Sequence, residues 1–281
     1  MKKIFVYTIL LLCSLTAGYA QKKAITLEIC HTSDTHSRIE PLDPHANDRH
    51  AGEGGYARRY AFLQERRQEN PDLLVFDCGD ISQGTPYYNL FQGELEIKLM
   101  NLLGYDAMTI GNHEFDFGLD NMARLFKLAE FPIVCANYDC RGTVLEGLVK
   151  PYVVIKRKNV RIGVFGIAPA LAGLVQASKC EGITYLDPVK SASRVIDDLK
   201  HKEKCDVIIC LSHLGIKKDM GDELLARGTK ELDLILGGHT HTFMKSPRIL
   251  KNQEGKDIPV FHCGRQGVQV SHTTLTLRKK K

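Results

Sequence analysis

The sequence predicts a layered α/β domain, and three observations carry that prediction. Short runs rich in Val, Ile, Leu and Phe alternate along the chain with longer stretches whose apolar residues recur at helical spacing. Several of the short runs are nearly all apolar, as expected for strands of a sheet covered on both faces. No repeat, low-complexity tract or linker divides the chain, and its 281 residues suffice for one large domain or two small ones.

The elements follow in order. Ile25–His31 is the first strand, and the Pro, Asp, His and Gly residues of Ile39–Gly55 then argue a long surface loop. Tyr56–Gln68 sets Ala57, Tyr60, Ala61 and Leu63 at helical spacing, with Arg58, Arg59, Glu65 and Arg66 mostly opposite. Strand Leu73–Asp77, helix Glu94–Leu103, strand Ala107–Ile110, helix Leu119–Leu128 and strand Ile133–Ala136 continue the alternation. Strands Tyr152–Ile155 and Arg161–Ile167 come next, before helix Pro188–His201, strand Val207–Leu211, helix Asp219–Ala226 and strand Leu234–Leu236. Val260–Cys263 and Val268–Leu277 close the domain.

The ends read differently. Lys2 and Lys3 precede the apolar run Ile4–Leu12, and Gly18–Ala20 places small residues where a signal peptidase cuts. Residues 1–20 are therefore expected to be a signal peptide, cleaved before Gln21, with 21–281 as the mature domain. Ser14, Thr16, Gly18 and Gln21 interrupt the run before the roughly 20 apolar residues that a membrane span needs. Lipidation at Cys13 is disfavoured, because the preceding "LLL" lacks a small residue. Export to a periplasm or the extracellular space follows, and the absence of an Asn-x-Ser/Thr sequon suits a bacterial chain.

The formal charge of +5 misleads as a sign of partners. Lys2, Lys3 and the tail Arg278–Lys281 together exceed it, so the body between them is near neutral and nucleic-acid binding gains no support. Cys30, Cys78, Cys135, Cys210 and Cys263 each lie in or beside apolar runs, where cysteine behaves as a small buried residue. No CxxC spacing suggests a cysteine zinc site. Cys135–Cys140 and Cys180–Cys205 are conceivable bridges in an oxidising compartment, but neither is predicted.

What stands out is chemistry at strand ends. Asp34 and His36 follow the first strand, and if strand geometry persists, i and i+2 point the same way. Asp80 follows the second, Asn112 and His113 the third; His213 follows "IICLS", and His239 and His241 follow "LILGG". Each alone is more often a turn-former or a hydrogen-bonded partner. Recurrence at five strand termini, four with adjacent glycines, points instead to a shared site outside the strands' carboxyl ends. Mixed oxygen and nitrogen donors suit Zn²⁺, Mn²⁺ or Fe²⁺ rather than Ca²⁺. Seven candidate ligands exceed what one tetrahedral ion uses, so two ions sharing a carboxylate fit better, an arrangement suited to phosphoryl transfer. His31, His201, His262 and His272 read as ordinary partners, and His45 and His50 in the long loop as solvated.

In chain order, "DTH" at Asp34–His36, "GDISQG" at Gly79–Gly84, "GNHEFD" at Gly111–Asp116, "SHLG" at Ser212–Gly215 and "GGHTH" at Gly237–His241 resemble the motifs of the calcineurin-like metallophosphoesterases. More narrowly, they resemble the catalytic N-terminal domain of the 5′-nucleotidase and UDP-sugar hydrolase family, from about Ile25 to Leu277. The resemblance implies a four-layer α/β/β/α sandwich with two divalent metal ions. Asp34, His36 and His241 would bind the first ion, Asn112, His213 and His239 the second, and Asp80 would bridge them. His241 departs from relatives that carry an amide there. His113 would be the catalytic imidazole, oriented by Asp116, while Glu114 is given no chemistry.

The implied activity is exported phosphomonoester hydrolysis of the 5′-nucleotidase type, as in nucleotide catabolism. A broad phosphodiesterase or a nucleotide-sugar diphosphatase is the nearest alternative. Two-domain members take nucleoside recognition from a C-terminal domain, and no residue here can be assigned that task; Phe243 and Phe261 read as packing residues. A separately encoded substrate-recognition domain is therefore an expected partner. A non-catalytic metal-binding subunit of such a two-chain assembly is the alternative of a different class. The His113–Asp116 pair speaks against it, because a structural metal site has no use for a non-ligand imidazole.

Overall fold

The computed structural model describes residues 24–277; the signal-peptide reading of residues 1–20, with Cys13, and the basic tail Arg278–Lys281 lie outside the described residues. Two six-stranded sheets form the centre. The first runs Ser271–Leu277, Ile25–Thr32, Leu74–Asp77, Ala107–Thr109, Ile133–Val134, Val149–Lys150, parallel throughout except at Ser271–Leu277. The second runs Arg248–Lys251, Asp257–His262, Leu234–Gly237, Val207–Ser212, Val160–Ile167, Tyr152–Arg157, with its two outermost strands antiparallel.

Side-chain alternation builds the layers. Leu74 and Phe76 of the first sheet pack in one core with Val164, Ile209, Leu211 and Leu236 of the second, which makes this the inter-sheet layer. Their neighbours point the other way. Val75, Met108 and Ile133 meet Leu63, Ile97, Leu103 and Leu125 from helices Tyr56–Glu69, Glu94–Leu103 and Gly118–Leu128. Phe165, Ile208, Cys210 and Ile235 meet Ala192, Val195 and Leu225 from helices Pro188–Asp197 and Gly221–Gly228. Strands buried on both faces need both parities apolar, which explains their continuous apolar runs. The α/β/β/α order is the one the motif resemblance implied.

Several details differ from the sequence reading. The helix predicted to reach His201 ends at Asp197 and passes into a π-helical turn over Asp198–Lys202; its start is fixed by Pro188 at the first position and Asp187 Oδ1 accepting from Lys190 N at 2.7 Å. Helix Pro86–Phe91 and edge strand Arg248–Lys251 were not expected. The first is a short helix opened by its proline, and the second is mostly exposed, so its "RILK" lacks an apolar run. All eight described cysteines are unpaired and seven are buried, so the apolar reading holds and neither conceivable bridge forms.

His31 sits within the inter-sheet region, its ring buried against Phe261 at 6.0 Å and its Nδ1 bonded to Ser271 Oγ. Burial pushes its pKa down to about 3, with nearby His262 adding to the effect. The unfolded chain therefore binds a proton that the folded chain refuses, between the ordinary value of 6.5 and about 3. The contribution to stability is complete above that window and is lost as pH falls through it. Asp77, pushed up to about 7 by burial, acts in the opposite sense. We therefore expect the difference between wild type and His31→Gln, measured as urea midpoints, to shrink on acidification. A constant difference would exclude His31 as a contributor.

Candidate metal centre

Each candidate follows the carboxyl end of a parallel strand: Asp34 and His36 after Thr32, Asp80 after Asp77, Asn112 and His113 after Thr109, His213 after Ser212, His239 and His241 after Gly237. The condition set on the sequence, that strand geometry persists beyond these ends, is not met. Asp34, His36, Asp80, His239 and His241 have φ of 53°, 47°, 56°, 73° and 51°. This left-handed region costs a side-chain-bearing residue about 1–2 kcal/mol, although Asp and His are among those found there more readily. Cross-loop hydrogen bonds hold it. Asp34 N, His36 N and Ser37 N donate to the carbonyls of Gly79, Asp80 and Ile81 at 2.9, 3.1 and 2.8 Å, and Gln266 N donates to Asp34 O at 2.7 Å. Convergence comes from loop zipping, not from alternation along a strand.

The loops gather two donor groups, Asp34–His36–His241 and Asp80–His213–His239, the donor atoms in each lying within 4.8 Å of one another. Nε2 of His36 and Nε2 of His241 face each other at 3.0 Å, and His241 Nε2 is 3.4 Å from Asp34 Oδ1. His213 Nε2 lies 3.0 Å from Asp80 Oδ2 and 3.9 Å from Asp34 Oδ1, so the groups adjoin. Asp34 also accepts His239 N at 3.0 Å and the Ser33 hydroxyl. Asp34, His36, Asp80, Asn112 and His213 are buried; His239 and His241 are half-buried and open one side of the site. Gly111 and Gly238 are required by space, since a Cβ at either would collide with Asp80 Oδ1 or Ser33 Oγ.

Ring orientation is set from behind. His36 Nδ1 faces Ser82 O at 3.1 Å and His213 Nδ1 faces Cys78 O at 2.6 Å. A ring nitrogen opposite a carbonyl carries the proton, so each Nε2 turns a lone pair toward the centre when the ring is neutral. On the second sheet, the buried Asp222 carboxylate accepts from His262 Nε2 at 2.6 Å and from the Ser212 hydroxyl, bracing the strand end before His213.

The electrostatics favour a bound cation. Burial penalises charge on both Asp80 and His213, yet each holds the other ionised, with the carboxyl shifted below its ordinary value and the ring up to about 10. A carboxylate buried this deeply demands a positive neighbour, a demand that a divalent ion also answers. His36 and His239 are shifted down, chiefly by burial, toward the neutral form that coordinates. Asn112 Oδ1 is buried without a hydrogen-bond partner, and His213 Nε2 faces only carboxylate oxygens, the nearer being Asp80 Oδ2. An unpartnered amide oxygen, facing imidazoles and buried carboxylates are a donor set that fits divalent first-row metals.

His113 stands beside the two groups. Its Nδ1 is 3.0 Å from Asp116 Oδ2, its ring centroid is 5.5 Å from that of His36, and its backbone N–H donates to Asp80 Oδ1 at 2.9 Å. The Asp116 hydrogen bond, partly opposed by burial, raises the His113 pKa. Sequence reasoning missed Glu114, which lies 2% exposed. Its Oε2 accepts Gly111 N and Asp80 N at 2.6 and 3.0 Å, and its Oε1 accepts Ile81 N at 2.9 Å and Ser82 N at 3.4 Å. Burial, with Asp80 adding, pushes its pKa up to about 7. An acidic residue between His113 and a buried Phe was the only sequence clue.

His50 also differs from its solvated reading. It stacks on Phe243 at 4.5 Å and 23°, with Arg49 5.3 Å from the same ring, so the long loop braces the segment after His241. His45 is exposed, as expected.

A family model described as calcineurin-like phosphoesterase matches residues 27–243. Rat 5′-nucleotidase is 31% identical over 277 residues, covering 92% of this chain and 47% of its own length. The structure of a 5′-nucleotidase precursor from Thermus thermophilus aligns with TM-score 0.77 and 31% identity, over 90% of this chain and 54% of that one. The calcineurin-like phosphoesterase YfkN from Bacillus subtilis aligns with TM-score 0.75 and 31% identity, over 92% and 87%. The chain spans about half the length of the curated relatives it matches.

Proposed function

The chain belongs to the calcineurin-like phosphoesterase family, hydrolases acting on phosphate esters, and from that premise we propose a dinuclear 5′-nucleotidase-type phosphomonoesterase. Asp34, His36 and His241 would hold one divalent ion, Asn112, His213 and His239 the other, and Asp80 would bridge. The observation that carries this reading is the meeting of two donor groups at the Asp80–His213 contact, with the buried Asn112 Oδ1 left without a hydrogen-bond partner on the neighbouring loop. When bound, the ions would supply Lewis-acid charge for the phosphoryl oxygens and a reactive water near neutral pH.

The chain's own residues supply orientation and a proton. His113, held at Nδ1 by Asp116, keeps Nε2 available to protonate the departing alkoxide oxygen. The His113 backbone N–H on Asp80 Oδ1 ties this acid to the bridging carboxylate, so the proton donor and the ligand loop keep one spacing. Half-buried His239, His241 and His113 leave a path for a phosphate ester to enter.

We expect purified protein to contain two ions per chain, Zn or Mn, by elemental analysis. It should release phosphate from AMP and para-nitrophenyl phosphate faster than it cleaves a diester or a UDP-sugar. One ion or none would overturn the dinuclear reading; preference for the diester or nucleotide sugar would move the activity to the alternative class. Export is proposed from residues 1–20, and among the described residues no helix is long and apolar enough to cross a membrane. Secreted protein beginning at Gln21 would support it, and a retained Met1 would not. The relatives' greater length supports a substrate-recognition domain outside these residues as a partner. A candidate domain that leaves AMP turnover unchanged would count against that partnership.

A further inference from the structure

We propose that Glu114 is a positioning residue for the metal centre, a clamp between the loop that carries Asp80 and the loop that carries Asn112 and His113. The inference rests on the dinuclear reading and goes beyond its ligand set. Three successive N–H groups, from Asp80, Ile81 and Ser82, converge on the Glu114 carboxylate from one loop, and Gly111 N–H converges from the other. Consecutive amides beside a left-handed residue, here Asp80 at φ 56°, form a concavity that binds an anion. In this chain the anion is internal.

The lock is reciprocal. Glu114 reaches from the second loop to the backbone of the first, while Asp80 Oδ1 reaches back to His113 N at 2.9 Å. The two loops are thereby fixed at one separation, the separation on which a shared ligand at Asp80 and a ligand at Asn112 depend. A carboxylate suits this task better than an amide. It offers acceptors on both oxygens, whereas glutamine would turn an NH₂ toward two backbone N–H groups. Aspartate, one methylene shorter, keeps acceptors on both oxygens but reaches the facing loop less well.

The test compares wild type, Glu114→Gln, Glu114→Asp and, as a control, Asp106→Asn. Asp106 is a largely buried carboxylate that accepts Val75 N at 2.8 Å and pairs with Arg157 at the strands' opposite ends. Mn²⁺ binding is titrated calorimetrically, and folding is followed by circular dichroism. We expect Glu114→Gln to weaken binding of at least one Mn²⁺ about tenfold or more, and Glu114→Asp to weaken it less. Activity of both should rise again with excess Mn²⁺. Asp106→Asn should lower the thermal midpoint with unchanged Mn²⁺ affinity. Folded Glu114→Gln with wild-type Mn²⁺ affinity overturns the clamp, as does equal weakening in Asp106→Asn. If Glu114→Gln does not fold, Glu114→Asp decides by the same criterion. Wild type binding neither Mn²⁺ nor Zn²⁺ would instead overturn the dinuclear reading itself, and a wild type that takes only Zn²⁺ is compared with the variants by Zn²⁺ titration under the same criteria.

Discussion

Asp80→Ala should lower phosphate release by about 10²–10⁴-fold and reduce bound metal from two ions to one or none. The magnitude follows from what the side chain holds. Its carboxylate is 2% exposed, lies 3.0 Å from His213 Nε2, and accepts His113 N at 2.9 Å. Removing one member of a buried charged pair costs about 3–5 kcal/mol of fold stability, and the turnover is lost with the ion that the shared carboxylate would hold. The loss falls on both donor groups, because Asp80 stands where they adjoin. It also frees His113 N–H, so the acid loop loosens with the ligand loop. Asp80→Asn, which keeps the volume and one acceptor, should retain more fold stability yet still lose an ion. A folded Asp80→Ala protein with two tightly held ions and more than a tenth of wild-type turnover would remove Asp80 from the bridge. His45→Ala, an exposed change in the long loop, should leave turnover unaltered.

The layers of this fold were legible because the strands that build them are buried on both faces, which writes itself into sequence as unbroken runs such as Val207–Ser212. Short or exposed elements were not, since Arg248–Lys251 and Tyr138–Asp139 take their pairing from neighbours distant in sequence. Seven candidate ligands and His113 were visible through residue type and position after strands, and the structure brings all of them to one end of the sandwich. Their local conformation was not visible. Asp34 and His36 could share one direction only if a strand's alternation continued, yet both are left-handed, because backbone bonds to Gly79 and Asp80 outweigh the local preference. Glu114 was hidden for a related reason. Its partners are main-chain N–H groups, which every residue except proline carries, so no side-chain pattern announces them.

His113→Ala should lower turnover of AMP by about 10²–10⁴-fold, the usual range for a lost acid–base group, while leaving two ions bound. Metal retention is expected because the His113 ring belongs to neither donor group, and the backbone N–H that meets Asp80 survives the substitution. The decisive measurement is the dependence on leaving group. AMP releases a ribose alkoxide, which leaves poorly unless protonated, whereas para-nitrophenolate leaves readily without a proton. A proton donor at this position therefore predicts a much smaller loss for para-nitrophenyl phosphate than for AMP. Asp116→Asn should show the same pattern at reduced size, since it removes the charge behind Nδ1 at 3.0 Å but keeps a side chain able to orient the ring. Equal losses on both substrates would assign His113 to stabilising phosphoryl charge instead of donating a proton. Loss of an ion in His113→Ala would make the imidazole part of what holds the metal, and its role as a free acid would fall.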